Sequence, residues 1–169
     1  MLISSLFFVS PLNFQERPAK VLTKKGKYGL KAMVYLAQFA PGRPVPVLDI
    51  ASTEKIPKKF LDAILCELRN SGFVNSKMGK GGGYTLAREP TEISVGDVIR
   101  AIDGPLAPIP CASRTRYQRC DDCSDETHCA VRLVMQDAQR ALSDVLDNCT
   151  VAQMREMSIG VDKVLIYEI

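Results

Sequence analysis

The seven residues from Lys77 to Gly83 constrain the fold most strongly, because six of them are glycine or lysine. Glycine adopts backbone conformations that other residues avoid, so this composition favours a tight turn. Short β-branched and aromatic runs flank the turn, at Phe73 to Ser76 and at Tyr84 to Leu86. These flanks predict two antiparallel strands. The segment is therefore expected to form a β-hairpin with a basic tip.

Three helical segments are predicted before the hairpin. Apolar residues recur at helical spacing from Lys24 to Phe39, and Pro41-Gly42 ends that helix. A short second helix is expected from Val47 to Lys55. Pro57 then opens a third helix, which ends at Asn70-Ser71-Gly72. Two short helices followed by a basic hairpin predict a winged helix-turn-helix, a mainly α fold with a small β wing.

The second half of the chain predicts a helix, a loop and a long helix. Ser94 and Asp97 have the spacing of a capping box, for a helix that ends at Gly104-Pro105. A cysteine-bearing loop follows. Apolar residues then recur at three- and four-residue spacing from Val131 to about Asp147. An apolar stripe on so long a helix predicts a partner helix, and hence dimerisation.

Segment boundaries follow from these patterns. Thr150 is a candidate cap for a short helix through Met157, and the apolar, β-branched tail from Ile159 to Ile169 favours a strand. No apolar run is long enough to span a membrane, and no secretory signal is present, so the cytoplasm is the expected compartment. The predicted segments are an N-terminal extension (1–19), a winged helix-turn-helix (20–104), a cysteine-bearing loop (105–129), a dimerisation helix with a short following helix (130–157) and a tail (158–169).

Charge is distributed unevenly along the chain. Residues 20–100 contain 14 lysines and arginines against 7 acidic residues, whereas residues 101–169 contain 7 against 11. The first part therefore carries a net charge of +7 and the second a net charge of −4, within an overall charge of +3. A basic half favours a polyanionic partner such as nucleic acid, although ordinary solvated surface charge gives the same signal.

The predicted fold suggests which lysines meet DNA. A helix fits the major groove, its first residues reach base edges, and its dipole favours phosphate at that end. Lys58 and Lys59 stand at the start of the third helix. In the hairpin, Lys77 and Lys80 are expected to meet the adjacent minor groove or backbone, where glycines such as Gly81 allow close approach. A flexible hairpin tip without function is the alternative.

Four of the six cysteines lie within nineteen residues, at Cys111, Cys120, Cys123 and Cys129. In a reducing cytosol, clustered thiols favour metal or redox chemistry over structural disulfides. An iron–sulfur cluster, a zinc ion and a metal-free thiol switch all suit this set. A thiol oxidoreductase using Cys120 and Cys123 is a remote alternative, because the acidic residues between them raise thiol pKa values. We therefore expect no enzyme.

The remaining cysteines have a simpler interpretation. Cys66 lies within the apolar stripe of the third helix, and Cys149 lies at a helix end. Both are expected to be small, buried apolar groups.

Several of these segments resemble the Rrf2 family of bacterial transcription regulators. The resemblance rests on Leu22-Thr23-x-Lys25-x-x-Tyr28, on the helix start Ile56 to Leu61 and on the wing Gly81-Gly82-Gly83-Tyr84, and it runs from about Lys20 to Met154. It implies a homodimer that binds a roughly palindromic DNA operator and acts as a repressor. Thr23 and Lys25 match positions that meet the DNA backbone. The residues that the resemblance assigns to the major groove are Pro57, Lys58, Lys59 and Phe60.

The wing departs from the family pattern at one position. Relatives carry an arginine just before the first wing glycine, and this chain has Met78 there. Arginine is attracted to the negative potential of a narrow minor groove, which methionine cannot exploit. The operator preference of these relatives is therefore not transferred to this chain.

The family resemblance favours an iron–sulfur cluster in the cysteine loop. In cluster-binding relatives three loop cysteines hold the iron, and five residues separate the last two. Cys123 and Cys129 keep that spacing, with Cys111 as the first of the three. The resemblance thus implies a cluster whose state modulates operator affinity.

The fourth ligand of the relatives is missing. One group uses a histidine three residues beyond the last cysteine, where this chain has Arg132. Another uses an aspartate from the partner's first helix, and Lys27 is the matching residue here. Cys120 is the preferred replacement. His128 is the second candidate, although an ordinary exposed loop histidine is the simpler expectation.

Overall fold

The computed structural model describes the backbone of residues 22–166 and the side chains of residues 22–159. The predicted N-terminal extension, residues 1–19, lies outside the described residues. The predicted fold class is confirmed, because the described part is mainly helical with one small antiparallel sheet. Its elements are α1 (Lys24–Leu36), α2 (Val47–Thr53), α3 (Lys58–Asn70), β1 (Val74–Lys77), β2 (Gly83–Leu86), α4 (Val95–Asp103), α5 (Ala130–Asp147) and α6 (Val151–Ile166).

The core lies where α1 packs against α3, α4 and α6. The apolar stripes of these amphipathic helices meet there, as their helical spacing predicts. Burying each such side chain contributes about 1.5 to 3 kcal/mol relative to leaving it in water. The largest fully buried side chains are Met33, Ile50, Leu61, Ile64, Leu65, Leu68, Val74, Ile93, Val98 and Val151.

Two predicted helix ends differ from the structure. The first helix ends at Leu36 rather than Phe39, because a turn replaces the last predicted residues. The second ends at Thr53 rather than Lys55. Lys55 adopts a φ of +53°, a left-handed conformation that ends a helix and directs the chain into α3.

The wing is an antiparallel hairpin that is fastened to the helical body at its base. Val74 lies opposite Leu86, and Lys77 lies opposite Gly83. Val45 and Tyr84 exchange two backbone hydrogen bonds of 2.9 Å, which join the chain before α2 to β2. A Cβ atom at Gly83 would lie 2.2 Å from the Val45 carbonyl oxygen, so this close approach requires glycine.

A capping box begins α6, as the sequence predicted for Thr150. The Thr150 hydroxyl accepts from the Gln153 N–H at 3.2 Å, and the Gln153 side chain accepts from the Thr150 N–H at 2.8 Å. The strand prediction for the tail is wrong as far as Ile166, because α6 continues to that residue. Helix propagation from a capped first turn outweighs the weak β preference of the branched residues.

Candidate DNA-binding surface and cysteine loop

The first turn of α3 presents its side chains to solvent. Pro57 stands at the N-cap, and Lys58 and Lys59 are exposed. Phe60 is 53% exposed, and its ring packs edge-on against Tyr28 of α1 at a centroid distance of 6.4 Å. Phe60 is therefore an apolar side chain held outside the core, at the end of the helix that was predicted to enter the major groove.

Two of the lysines predicted to meet DNA already have acidic partners. The Lys25 ammonium lies 2.6 Å from the Glu67 carboxylate, and the Lys58 ammonium lies 2.7 Å from Asp62. All four side chains are substantially exposed, so each pair contributes only about 0 to 1 kcal/mol. A phosphate group can compete with such carboxylates for the lysines.

Thr23 anchors the start of α1. Its hydroxyl accepts from the Gly26 N–H at 3.1 Å, which caps the helix. The same hydroxyl donates to Asp103 at 2.5 Å, and the Thr23 N–H donates to the other Asp103 oxygen at 2.8 Å. Thr23, which was predicted to contact the DNA backbone, therefore also connects the start of α1 to the end of α4.

The wing tip projects away from the helical body. Lys77, Lys80 and Gly81 are all exposed, and Met78 is 94% exposed. Gly79 has a φ of +90°, which lets the tip turn sharply. Within residues 22–159, neither wing lysine forms a salt bridge, so both are available to an anionic partner.

Neighbouring thiols raise the pKa values of two loop cysteines. Hydrogen bonding with the Cys111 side chain, with partial burial and the charge of Asp122, raises the pKa of Cys120 to about 11. Partial burial and hydrogen bonding with the Cys129 side chain raise the pKa of Cys123. Cys111 is buried and the other three are half-buried, and all four are free thiols. Cys129 directly precedes α5.

The donor chemistry of this loop fits an iron–sulfur cluster. Four thiols are the usual ligand set, and a cluster of two irons takes two thiolates on each iron. The two pairs of neighbouring thiols, Cys111 with Cys120 and Cys123 with Cys129, match that division. Across residues 22–159, however, no three histidine, cysteine or acidic side chains converge as a ready-made metal cage. The two pairs would have to close on each other to share one cluster.

Arg132 connects the two halves of the loop. Its Nε donates to the Cys111 carbonyl at 3.1 Å, and its Nη1 donates to the Glu126 carbonyl at 3.0 Å. The guanidinium also lies over the Tyr117 ring, 5.5 Å from its centroid. The sequence indicates this position only as a missing ligand, because no local pattern predicts hydrogen bonds to distant carbonyls.

The other sequence candidates near the loop have separate roles. His128 is exposed, as expected, and its Nδ1 lies 2.7 Å from an Asp125 oxygen. Hydrogen bonds from Thr127 and His128 lower the pKa of Asp125 to about 2. The expectation that Cys66 and Cys149 are buried is wrong, since both are half-buried. Cys149 packs against the edge of the core, and the Cys66 sulfur accepts from the Arg69 side chain at 3.6 Å.

The long helix α5 turns a polar face inward and an apolar face outward. The buried residues of α5 are Gln139 and Ser143, joined by a hydrogen bond of 2.8 Å. In contrast, Val131 is 63% exposed, Val134 60% and Val145 69%. Within the described part of the chain, nothing covers these valines.

The far end of α5 is fixed to the winged domain. The Arg100 guanidinium donates two hydrogen bonds of 2.7 Å to the Asp147 carboxylate, which raises the pKa of Arg100. The backbone N–H of Val95 donates to the Cys149 carbonyl at 2.8 Å. The α5–α6 junction is therefore anchored to α4. The start of α5, in contrast, directly follows the cysteine loop.

Within residues 22–166, no helix has both the length and the apolar composition for crossing a membrane.

Known proteins share both the sequence and the fold. Residues 22–157 match the family Rrf2, described as an iron-dependent transcriptional regulator. The rrf2-like HTH-type regulator of Rhodobacter capsulatus is 40% identical over 79% of this chain and 91% of its own. The global cysteine regulator CymR of B. subtilis has a TM-score of 0.67 and 31% identity, covering 80% of this chain and 96% of its own. IscR of T. potens has a TM-score of 0.63 and 31% identity, covering 81% and 87%. This chain belongs to the Rrf2 family and is a DNA-binding transcriptional regulator.

Proposed function

We propose that the protein is a cytoplasmic, homodimeric repressor whose operator affinity depends on an iron–sulfur cluster held by Cys111, Cys120, Cys123 and Cys129. The observation that carries the proposal is that four free thiols lie in the one loop that leads into α5, with Cys120 near Cys111, Cys123 near Cys129, and Cys129 directly before the helix. The family description names iron, in agreement with this assignment. Cys120 supplies the fourth thiolate, because it lies beside Cys111 and because Arg132 is engaged with backbone carbonyls.

The winged domain contacts the operator through three elements. The exposed first turn of α3, with Pro57, Lys58, Lys59 and Phe60, enters the major groove. Thr23 and Lys25 meet the phosphate backbone at the start of α1. The wing, with Lys77, Lys80 and Gly81, follows the adjacent minor groove. Exposure of these lysines supports the assignment, since each phosphate contact needs an accessible cation.

Dimerisation uses the apolar face of α5. Val131, Val134 and Val145 stand in water in a single subunit, although burial of each would contribute about 1.5 to 3 kcal/mol. Their spacing along α5 suits packing against the same helix of a second copy. A pair of winged domains would then face two halves of a palindromic operator.

The loop connects sulfur chemistry to the position of α5. When bound, a cluster supplies a covalent cross-link among the four thiolates. Arg132 donates to the Cys111 and Glu126 carbonyls, so it connects the two halves of the loop. The other end of α5 stays fixed by Arg100 and Asp147. Loss of the cross-link therefore leaves the start of α5 held to the loop through Arg132 alone, and the weaker attachment alters the spacing of the two winged domains.

A metal-free thiol switch is a second candidate, favoured by the same pairing of thiols. Hydrogen peroxide would oxidise Cys111 with Cys120, and Cys123 with Cys129. Each disulfide would release two electrons and two protons, and each peroxide would yield two waters. The two candidates differ in iron content and colour.

The test is anaerobic purification followed by iron and sulfide analysis and DNA binding. A cluster absorbs at about 400 nm, whereas zinc and free thiols do not absorb there. Gel shifts then compare cluster-loaded and cluster-free protein on the duplex upstream of its own gene. Cys123→Ala should lose the absorbance and the difference in affinity, and Cys66→Ala, outside the loop, should keep both. Equal binding by the two forms of the wild-type protein would contradict the proposal.

A further inference from the structure

The tip of the wing carries an apolar side chain that the fold does not use. Met78 is 94% exposed, the highest value among the large exposed apolar residues of the described chain. The hairpin is held instead by its strand pairing and by Tyr84 and Leu86, which pack against the core. A thioether of this size would be favoured in an apolar environment, so Met78 is available to an apolar partner at the apex of the wing.

The surroundings of Met78 indicate what that partner is. Lys77 precedes it and Lys80 follows two residues later, and both are exposed. The intervening Gly79, with a φ of +90°, keeps the apex narrow. A narrow apolar tip between two cations fits a partner with flanking anions and an apolar interior. The minor groove of duplex DNA has this arrangement, with phosphates along its edges and stacked bases between them.

We infer that Met78 is a specificity-determining residue, which enters the minor groove as an apolar wedge between base steps. The inference rests on DNA binding through the wing. Apolar wedges partly unstack the step that they enter, and pyrimidine–purine steps such as TA and CA unstack most easily. Met78 therefore favours an operator with a flexible step beneath the wing. It disfavours the stiff, narrow A-tracts that attract an inserted arginine.

The experiment selects preferred duplexes from a library randomised under the wing, with four proteins in parallel. These are the wild type, Met78→Leu, Met78→Ala and Met78→Arg. The wild type and Met78→Leu should both select pyrimidine–purine steps, because leucine keeps an apolar side chain. Met78→Ala should lose the preference and bind the selected duplex about tenfold more weakly, as expected for one lost apolar burial. Met78→Arg should shift the selection towards A-tracts.

Salt dependence separates the wedge from a charge contact. Met78→Ala should leave the slope of log affinity against log salt unchanged, because no phosphate contact is removed. Lys80→Ala is the matched control on the same turn, and it should lower the slope by about one. Since residue 78 is exposed, its variants should fold like the wild type, which circular dichroism checks.

Two results overturn the inference. If all four proteins select the same steps under the wing and Met78→Ala binds as tightly as the wild type, residue 78 does not determine sequence specificity. If the proteins select a half-site for α3 but no preference under the wing, the wing binds without specificity. A wild type that selects no sequence at all would instead contradict DNA recognition, and with it the proposed function.

Discussion

Arg132 stands where the family resemblance would imply a ligand, but its contacts give it a different role. Its guanidinium hydrogen-bonds to two carbonyls that lie fifteen residues apart in the chain, those of Cys111 and Glu126. Arginine suits this position because its planar fork donates in two fixed directions at once. The loop therefore has an internal brace that does not depend on sulfur. That brace would hold the cysteines near one another before any cluster is inserted.

Removing this brace should weaken retention of the cluster. We expect the cluster absorbance of Arg132→Ala at about 400 nm to decay several-fold faster in air, because Cys111 is no longer held against the second half of the loop. Arg132→Lys should rescue only part of the effect, since an ammonium lacks the fork geometry. Arg140→Ala on the same helix serves as the control and should decay like the wild type. Identical decay of all four proteins would show that Arg132 does not position the loop.

The acidic partners of the lysines that we propose to contact DNA lead to a second prediction. Glu67→Gln should raise operator affinity about two- to threefold at low salt, because a carboxylate no longer competes with the DNA phosphate for the Lys25 ammonium. The gain should disappear at high salt, where screening weakens both interactions. Glu54→Gln is the matched control, since it removes the carboxylate beside Lys31, which was not predicted to meet DNA and which also donates to the Glu54 carbonyl. Fluorescence anisotropy across a salt series measures both variants.

At the scale of elements, the apolar face of α5 makes the oligomeric state testable. Val134→Asp should convert the dimer to a monomer in sedimentation experiments, because it places a charge in the centre of a face with no other apolar cover. Folding of the winged domain should persist, since that valine is exposed in the single subunit. Arg140→Asp, which puts the same carboxylate on another side of α5, should remain dimeric. A dimeric Val134→Asp protein would place the interface elsewhere.

The sequence predicted the elements well where the signals are local. The Ser94 hydroxyl accepts from the Asp97 N–H at 3.0 Å, and Thr150 caps α6, both as predicted. The wing followed from its glycines and flanking strands. The tail from Ile159 was predicted wrongly, because β propensity over a few residues carries less weight than a helix already under way. Element type is thus readable from short patterns, and element length depends on what precedes it.

The site was predictable by residue type but not by arrangement. Exposure of Lys58, Lys59 and the wing lysines agrees with the charge pattern, yet the Lys25–Glu67 pair joins residues 42 apart. The same holds for the brace at Arg132 and for the pairing of Cys111 with Cys120. Such contacts depend on the packing of α1, α3 and the loop, which no local spacing encodes.

For the whole molecule, the Arg100–Asp147 contact connects α5, the proposed dimerisation helix, to the winged domain. Asp147→Asn should reduce the ratio between the operator affinities of the cluster-loaded and cluster-free forms several-fold, because the fixed end of α5 becomes free to move. The protein should remain dimeric, since the exposed valines are untouched. Asp144→Asn, one turn earlier on α5, should preserve the ratio. An unchanged ratio in Asp147→Asn would assign the coupling to the backbone contacts alone.

The inward side of α5 affects how operator occupancy depends on the concentration of the protein. Because the buried residues of that side are the polar Gln139 and Ser143, its burial stabilises the helix less than an apolar side would. Assembly of the proposed dimer would therefore add to the stability of the helix, and binding of both operator halves would require two chains at once. In a cell with few copies, operator occupancy would rise with the square of the chain concentration. Small changes in expression would therefore be converted into larger changes in control.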